Sequence, residues 1–149
     1  MKVKSILFLL CSGLVATVAT AQQIDTSVVT RADTVADKGE GWVFYSYFTG
    51  ESYGVEKTLT GMAVIQPGYE IHPPHVHADE EYLVITQGEG EWSVKGETFK
   101  ASTGDMLYAS PWDEHGVKNT GDEPLVFVVF KWHSKNNTVP PEPESAKRH

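Results

Sequence analysis

Residues 68–88 read GYEIHPPHVHADEEYLVITQG, and the rest of the sequence is interpreted as a β scaffold built around them. At its centre, His75 and His77 are one residue apart, so on an extended chain both imidazoles point to the same face and form a metal-binding pair. Glu81 has the same parity, but on a straight strand its Cα would lie about 13 Å from that of His77. Metal ligands lie about 2.0–2.2 Å from one ion, so we predict a bend at residues 78–80, where Asp79 favours a turn.

Short apolar runs separated by turn residues continue on both sides of this stretch. Their spacing of about 8–12 residues is typical of antiparallel sandwiches and barrels. We find no run that predicts a helix of normal length, so the sequence predicts an all-β antiparallel domain over residues 41–133. The predicted strands cover residues 42–48, 59–66, 82–86, 91–95, 98–101, 106–109, 115–119 and 125–132.

The two ends of the chain differ from this domain. Lys2 and Lys4 precede an apolar run, and Ala19-Thr20-Ala21 follows it as a cleavage pattern, so residues 1–21 are predicted to be a signal peptide. The protein is therefore expected to be exported, either periplasmic or secreted. Residues 22–40 form a polar leader. The proline-rich residues 134–149 are predicted to be a disordered tail.

Charge and cysteine content limit the possible partners and ligands. Cys11 is the only cysteine, and it is removed with the predicted signal peptide, so a metal must be held by histidine, carboxylate or water. Loss of Lys2 and Lys4 changes the net charge from −8 to −10. Such an acidic chain is a poor partner for nucleic acid or an anionic membrane surface, so we expect a small-molecule substrate and neither of these partners.

Two groups of residues resemble the two motifs of the cupin family. The first group is Gly68, His75, His77, Glu81 and Gly88, and the second is Gly104, Pro111, His115 and Asn119. The resemblance implies one jelly-roll barrel in which His75, His77, Glu81 and His115 bind a divalent metal. It departs from the family pattern where Asp113-Glu114 replaces a glycine, which leaves the shape of that loop open.

The ligand set and its surroundings suggest further roles. Three imidazoles and one carboxylate suit Fe, Mn, Ni, Co or Zn and leave positions for water or substrate. Tyr108 is a candidate general acid or base, and His72, Phe130 and Trp132 are candidate pocket residues. Glu80 is expected on the opposite face from Glu81. Exposed edge strands make a homodimer possible.

Three functions fit these residues. The first is a metal-dependent isomerase or lyase that acts on a small oxygen-rich substrate such as a sugar acid. The second is an Fe(II) dioxygenase, and the third is a non-catalytic module that binds a metal or a ligand. The fold alone does not choose among them, because sites carry function.

Overall fold

The computed structural model describes residues 23–144 and 146, where nine strands follow a 3-10 turn at Arg31–Asp33. The predicted signal peptide and residues 145 and 147–149 of the predicted tail lie outside these described residues. The strands are β1 (Val35–Gly39), β2 (Trp42–Gly50), β3 (Val55–Ile65), β4 (Glu80–Gln87), β5 (Glu89–Val94), β6 (Glu97–Ser102), β7 (Met106–Ala109), β8 (His115–Lys118) and β9 (Leu125–Ser134).

All of the strand pairs within the two sheets are antiparallel. The larger sheet has the order β1-β2-β3-β9-β4-β7, and the smaller has the order β6-β5-β8. The predicted all-β class and jelly-roll architecture are confirmed. Strand β1 lies in the polar leader and pairs with β2 along its whole length, from Val35 opposite Ser46 to Gly39 opposite Trp42.

The core lies between the two sheets and is built from alternate residues of the central strands. On β9, Leu125, Phe127 and Val129 are buried, and their neighbours on β3 and β4 are buried at matching positions. Ile85 pairs with Phe127, and Leu83 pairs with Val129. This alternation sends the even-numbered side chains of β9 to the outer face. Within the described residues, no helix has the length and apolar character needed to span a membrane.

Asn119 joins the end of β8 to the rest of the barrel and is completely buried. Its Nδ2 donates to the backbone oxygens of Ile65 at 2.8 Å and Glu123 at 2.9 Å, and its Oδ1 accepts from Gly121 N at 3.0 Å. Its backbone nitrogen also donates to Tyr69 O, at 3.0 Å. This one residue therefore connects β3 and the turn before β9 through its side chain, and the loop that leads to the histidines through its backbone.

We predict that Asn119→Asp destabilises the fold by about 2–4 kcal/mol, because a buried carboxylate would face the carbonyl oxygens of Ile65 and Glu123 without donating to them. Urea denaturation followed by circular dichroism measures this change. The exposed Asn137 gives a matched control, and Asn137→Asp should stay within about 0.5 kcal/mol of the parent. Equal stability of the two variants would contradict the prediction.

Candidate metal centre

His75 and His115 are held together through their backbones. His75 N donates to His115 O and His115 N donates to His75 O, both at 3.0 Å, so the loop before β4 is pinned to the first residue of β8. Their ring centroids are 4.8 Å apart. The two imidazoles therefore face one another inside the barrel although 40 residues separate them in the sequence.

His77 joins this pair from the same loop. Its ring centroid lies 5.2 Å from that of His75 and 4.8 Å from that of His115. One ring nitrogen from each of these histidines lies within 4.8 Å of the other two. Trp112 N donates to His77 O at 2.7 Å and thereby fixes the backbone of the loop.

Glu81 reaches the three histidines from the start of β4, after the predicted bend. Glu81 is 6% exposed, and its Oε2 lies 3.1 Å from His77 Nε2 while its Oε1 lies 3.4 Å from His115 Nε2. The first contact has the geometry of a hydrogen bond, which forms only when His77 Nε2 carries a proton. The second has an ion-pair distance but leaves His115 Nε2 without a hydrogen bond. The structure thus brings together all four residues that the sequence suggested as ligands.

Backbone carbonyls select the tautomers of two of these histidines. His77 Nδ1 lies 3.0 Å from Asp79 O, and His115 Nδ1 lies 2.8 Å from Asp113 O. A carbonyl oxygen only accepts, so each Nδ1 must carry a proton. In the neutral ring, Nε2 is then an unprotonated acceptor directed at the cluster.

This arrangement leaves acceptors facing acceptors. The Nε2 lone pairs of His77 and His115 are directed at the Glu81 carboxylate, which also only accepts when ionised. In addition, Nδ1 of His75 and Nε2 of His115 are buried without a hydrogen-bond partner. A buried polar atom without a partner is costly. A divalent metal fits these residues because it would bind the lone pairs of all four groups.

Burial and the neighbouring charges shift the pKa values in this cluster. Burial and the adjacent His72, His115 and His77 lower the pKa of His75 to about 4. For Glu81, burial acts to raise the pKa, but the close approach of His115 and His77 in their protonated forms outweighs it and lowers the pKa to about 2. Burial also acts to lower the pKa of His115, but Glu81 and the Asp113 carbonyl raise it overall.

The loop before His115 contains Asp113-Glu114, where the sequence departs from the cupin pattern, and the structure shows its conformation. Trp112 has a φ of 67°, a left-handed conformation that is uncommon for a large side chain. Asp113 forms an ion pair of 2.8 Å with Lys95, and Trp112 Nε1 donates to Pro140 O at 2.7 Å. These contacts hold the loop where Trp112 N meets His77 and Asp113 O meets His115.

Asp79 and His133 form a pair beside His77 that was not predicted from the sequence. Asp79 is 8% exposed, and its Oδ1 lies 3.1 Å from His133 Nδ1 on β9. The backbone oxygen of the same Asp79 accepts the His77 Nδ1 proton. His133 has the same parity as the buried residues of β9, and that parity was the only sequence signal for it.

The cluster opens into a largely apolar cavity of about 220 Å³ inside the barrel. The apolar wall includes Trp42, Phe44, Leu59, Leu83, Phe127 and Val129, and the polar lining includes Asp37, His72, His75, Glu81, His115 and Lys131. His72, a predicted pocket residue, lines the cavity, and its ring centroid lies 4.1 Å from that of His75. Lys131 was not predicted as a site residue.

Three of the other predicted site residues lie on the outer face of the larger sheet. Phe130 is 44% exposed and is not part of the cavity lining. Trp132 stacks on Tyr82 and donates to Glu80 Oε2, and the Tyr108 hydroxyl donates to Glu80 Oε1 at 2.8 Å. The roles suggested for Phe130, Trp132 and Tyr108 are therefore corrected, because strand alternation turns these side chains away from the barrel interior. Glu80 lies on the opposite face from Glu81, as expected.

Comparison with known families agrees with this geometry, since the family model for the cupin domain matches residues 61–131. These residues form a cupin domain. Over 82 residues it is 29% identical to a gentisate 1,2-dioxygenase from a Streptomyces species, an alignment that covers 54% of this chain. The same alignment covers only 23% of the dioxygenase, so the chain spans less than a quarter of that relative.

Solved structures show the same fold. An RmlC-like cupin from Shewanella frigidimarina superposes with a TM-score of 0.60 at 16% identity, covering 75% of this chain and 95% of the other. A protein with a double-stranded β-helix domain from Klebsiella pneumoniae gives 0.60 at 20% identity, covering 79% and 100%. At such identities the likeness concerns the fold alone.

We predict that zinc binding to this cupin weakens as the pH falls from 7.5 to 5.5. Protons compete with the metal first at His115, whose pKa is raised above 6.5, and only at lower pH at His75 and Glu81. Binding is therefore favoured above the pKa of His115 and is lost as the pH falls through it. Calorimetric titration in buffers of different ionisation enthalpy also counts the protons released near pH 6. A constant affinity with no proton release would contradict the prediction.

We further predict that Asp79→Asn weakens zinc binding by about tenfold, the lower end of the range for partners that orient a metal ligand. The change removes the charge that pairs with His133 and loosens the turn whose carbonyl orients His77. Glu80→Gln is a matched control on the next residue but the opposite face, and it should leave the affinity unchanged within twofold. Equal effects of the two substitutions would contradict the supporting role of Asp79.

Proposed function

We propose that this cupin binds one divalent transition metal through His75, His77, His115 and Glu81. The observation that carries the proposal is the convergence of these four groups, with two buried ring nitrogens lacking partners and two Nε2 atoms facing a carboxylate. Three imidazoles and one carboxylate suit Fe, Mn, Ni, Co or Zn. Among these, we propose iron(II), supported by the likeness to a gentisate dioxygenase.

We propose that the domain acts as a dioxygenase on a small organic substrate held in the barrel cavity. When bound, iron(II) supplies open coordination positions for dioxygen and substrate. In an oxidative ring cleavage, a C–C bond of the substrate breaks, both oxygen atoms enter the product and the substrate supplies all four electrons, so the reaction consumes no separate reductant. The apolar wall formed by Trp42, Phe44 and Phe127 would seat an unsaturated ring and exclude water from it.

His72 is proposed to handle the proton of a substrate hydroxyl. Its ring lies against that of His75 at the mouth of the cavity, and its exposed side chain reaches solvent. Its Nδ1 lies 3.1 Å from Pro73 O, which assigns the proton to Nδ1 and leaves Nε2 free to accept another. An imidazole at this place can take a proton from the substrate and pass it to water.

The isomerase or lyase function on a sugar acid has less support. The hydroxyl groups of a sugar acid would face Leu83, Phe127 and Val129, and polar groups buried against aliphatic walls lose their hydrogen bonds. Tyr108, the candidate general acid or base, lies outside the barrel. Export through the predicted signal peptide remains part of the proposal, as do a small-molecule substrate and a possible homodimer.

We predict that the full chain loaded with iron(II) under anaerobic conditions consumes dioxygen when gentisate or a catechol is added. An oxygen electrode measures the uptake, and mass spectrometry with labelled dioxygen shows whether both atoms enter the product. The zinc-loaded protein is the matched control, because zinc fits the same ligands but has no redox chemistry. His77→Ala should lower both iron content and uptake by at least tenfold.

Two outcomes would contradict this function. Failure of the parent chain to bind iron or zinc would contradict the metal centre itself. Stoichiometric iron binding without oxygen uptake on any of the substrates would contradict the dioxygenase and favour the non-catalytic binding module.

A further inference from the structure

Lys131 is a positive charge within an apolar row that faces the cavity. It follows Phe127 and Val129 at alternate positions of β9 and pairs with Leu59 on β3 and Glu81 on β4. This register points its side chain into the barrel, where it lines the cavity and is only 24% exposed. A lysine at such a position is unusual, because lysines are almost never buried unless they are paired.

The pairing of Lys131 inside the barrel is weak. Its Nζ lies 3.9 Å from Glu81 Oε2, whereas His77 Nε2 approaches the same oxygen to 3.1 Å and His115 Nε2 approaches the other oxygen to 3.4 Å. Glu81 is thus shared among three basic groups. A metal bound to Glu81 would take more of the negative charge that faces Lys131.

The charge balance of the loaded site follows from these residues. A divalent ion and Lys131 bring three positive charges to the cavity, while Glu81 and Asp37 bring two negative ones. Asp37 lies on β1 opposite Phe44 and is exposed, so water screens its charge. The part of the cavity beside Lys131 and Glu81 therefore has an excess of positive charge in a largely apolar surrounding, where an anion gains most from a charged partner.

Resting on the dioxygenase function above, we propose that Lys131 determines substrate specificity by binding a carboxylate on a single aromatic ring. Its ammonium group would donate to the carboxylate, while Trp42, Phe44 and Phe127 cover the faces of the ring. The volume of about 220 Å³ is below the roughly 300–1,000 Å³ typical of drug-sized ligands and therefore favours one ring over two. The carboxylate supplies the negative charge that the loaded site lacks.

A purely structural role for Lys131 makes a different prediction. If the ammonium group served only to neutralise Glu81, its removal would change metal affinity and stability, and it would change the binding of charged and uncharged rings to the same extent. If it binds the substrate, its removal would affect the charged ring alone.

Calorimetry on the zinc-loaded full chain tests the proposal with salicylate and phenol, which differ by one carboxylate. The parent should bind salicylate at least tenfold more tightly than phenol. Lys131→Met should weaken salicylate binding by about 10–100-fold, as expected for a hydrogen bond to a charged group, and leave phenol within twofold. Lys131→Arg should keep the preference, and Lys100→Met, which changes an exposed lysine paired with Glu89, should change nothing.

The outcomes separate this inference from the function on which it rests. Zinc content and thermal melting are measured for every variant, so loss of the metal or of the fold is seen directly. A parent that binds zinc but holds salicylate and phenol equally overturns the role of Lys131 and leaves the metal centre intact. A Lys131→Met protein that binds less zinc and keeps its preference for salicylate overturns it as well. A parent that binds no zinc contradicts the metal centre instead.

Discussion

The reciprocal backbone hydrogen bonds between His75 and His115 are the constraint on which the rest of the site depends. They join a loop without regular structure to a strand of the smaller sheet, and the Glu81 carboxylate reaches the same point from the larger sheet. Ligands from both sheets therefore meet in the barrel only if this junction holds. The buried Asn119 reinforces the junction, since its backbone and side chain fix both the loop and the end of β8. The stability of the barrel and the geometry of the site therefore depend on the same hydrogen bonds.

Without a metal, the same cluster is electrostatically unfavourable. The tautomers imposed by Asp79 O and Asp113 O direct two lone pairs at an ionised carboxylate. A proton can relieve this repulsion at one imidazole, which agrees with the raised pKa of His115. A proton does not satisfy the buried Nδ1 of His75 in the same way, because burial lowers the pKa of that ring to about 4. A divalent ion satisfies all of these groups at once, so we expect metal binding to stabilise the folded state.

The fold and the pairing of His75 with His77 could be predicted because both depend on local pattern, whereas the full ligand set with His115 followed from the resemblance to the two cupin motifs. Strands follow apolar runs between turn residues, and the one-residue spacing of His75 and His77 fixes their common face. Phe130 and Trp132 were misplaced because aromatic residues suggest a core, whereas the parity set by Leu125 puts them outside. The histidine tautomers could not be predicted, since they depend on which carbonyl oxygens the folded loop brings within reach. Lys131 was not predicted as a cavity residue for a related reason, because a lysine at the end of an apolar run commonly marks the point where a strand reaches water.

The acidic composition of the chain and the proposed anionic substrate are compatible because they act over different distances. The net charge of −8 repels anions at long range, but salt screens such repulsion beyond about 8–10 Å. Inside the cavity, screening is weaker and the balance is set by a few groups, namely the bound ion, Lys131 and the shared Glu81. A carboxylate that reaches this point meets a local positive excess, whereas an uncharged ring gains only contact with the apolar wall. Selectivity would therefore arise from the few charged groups that line the cavity and not from the surface of the protein.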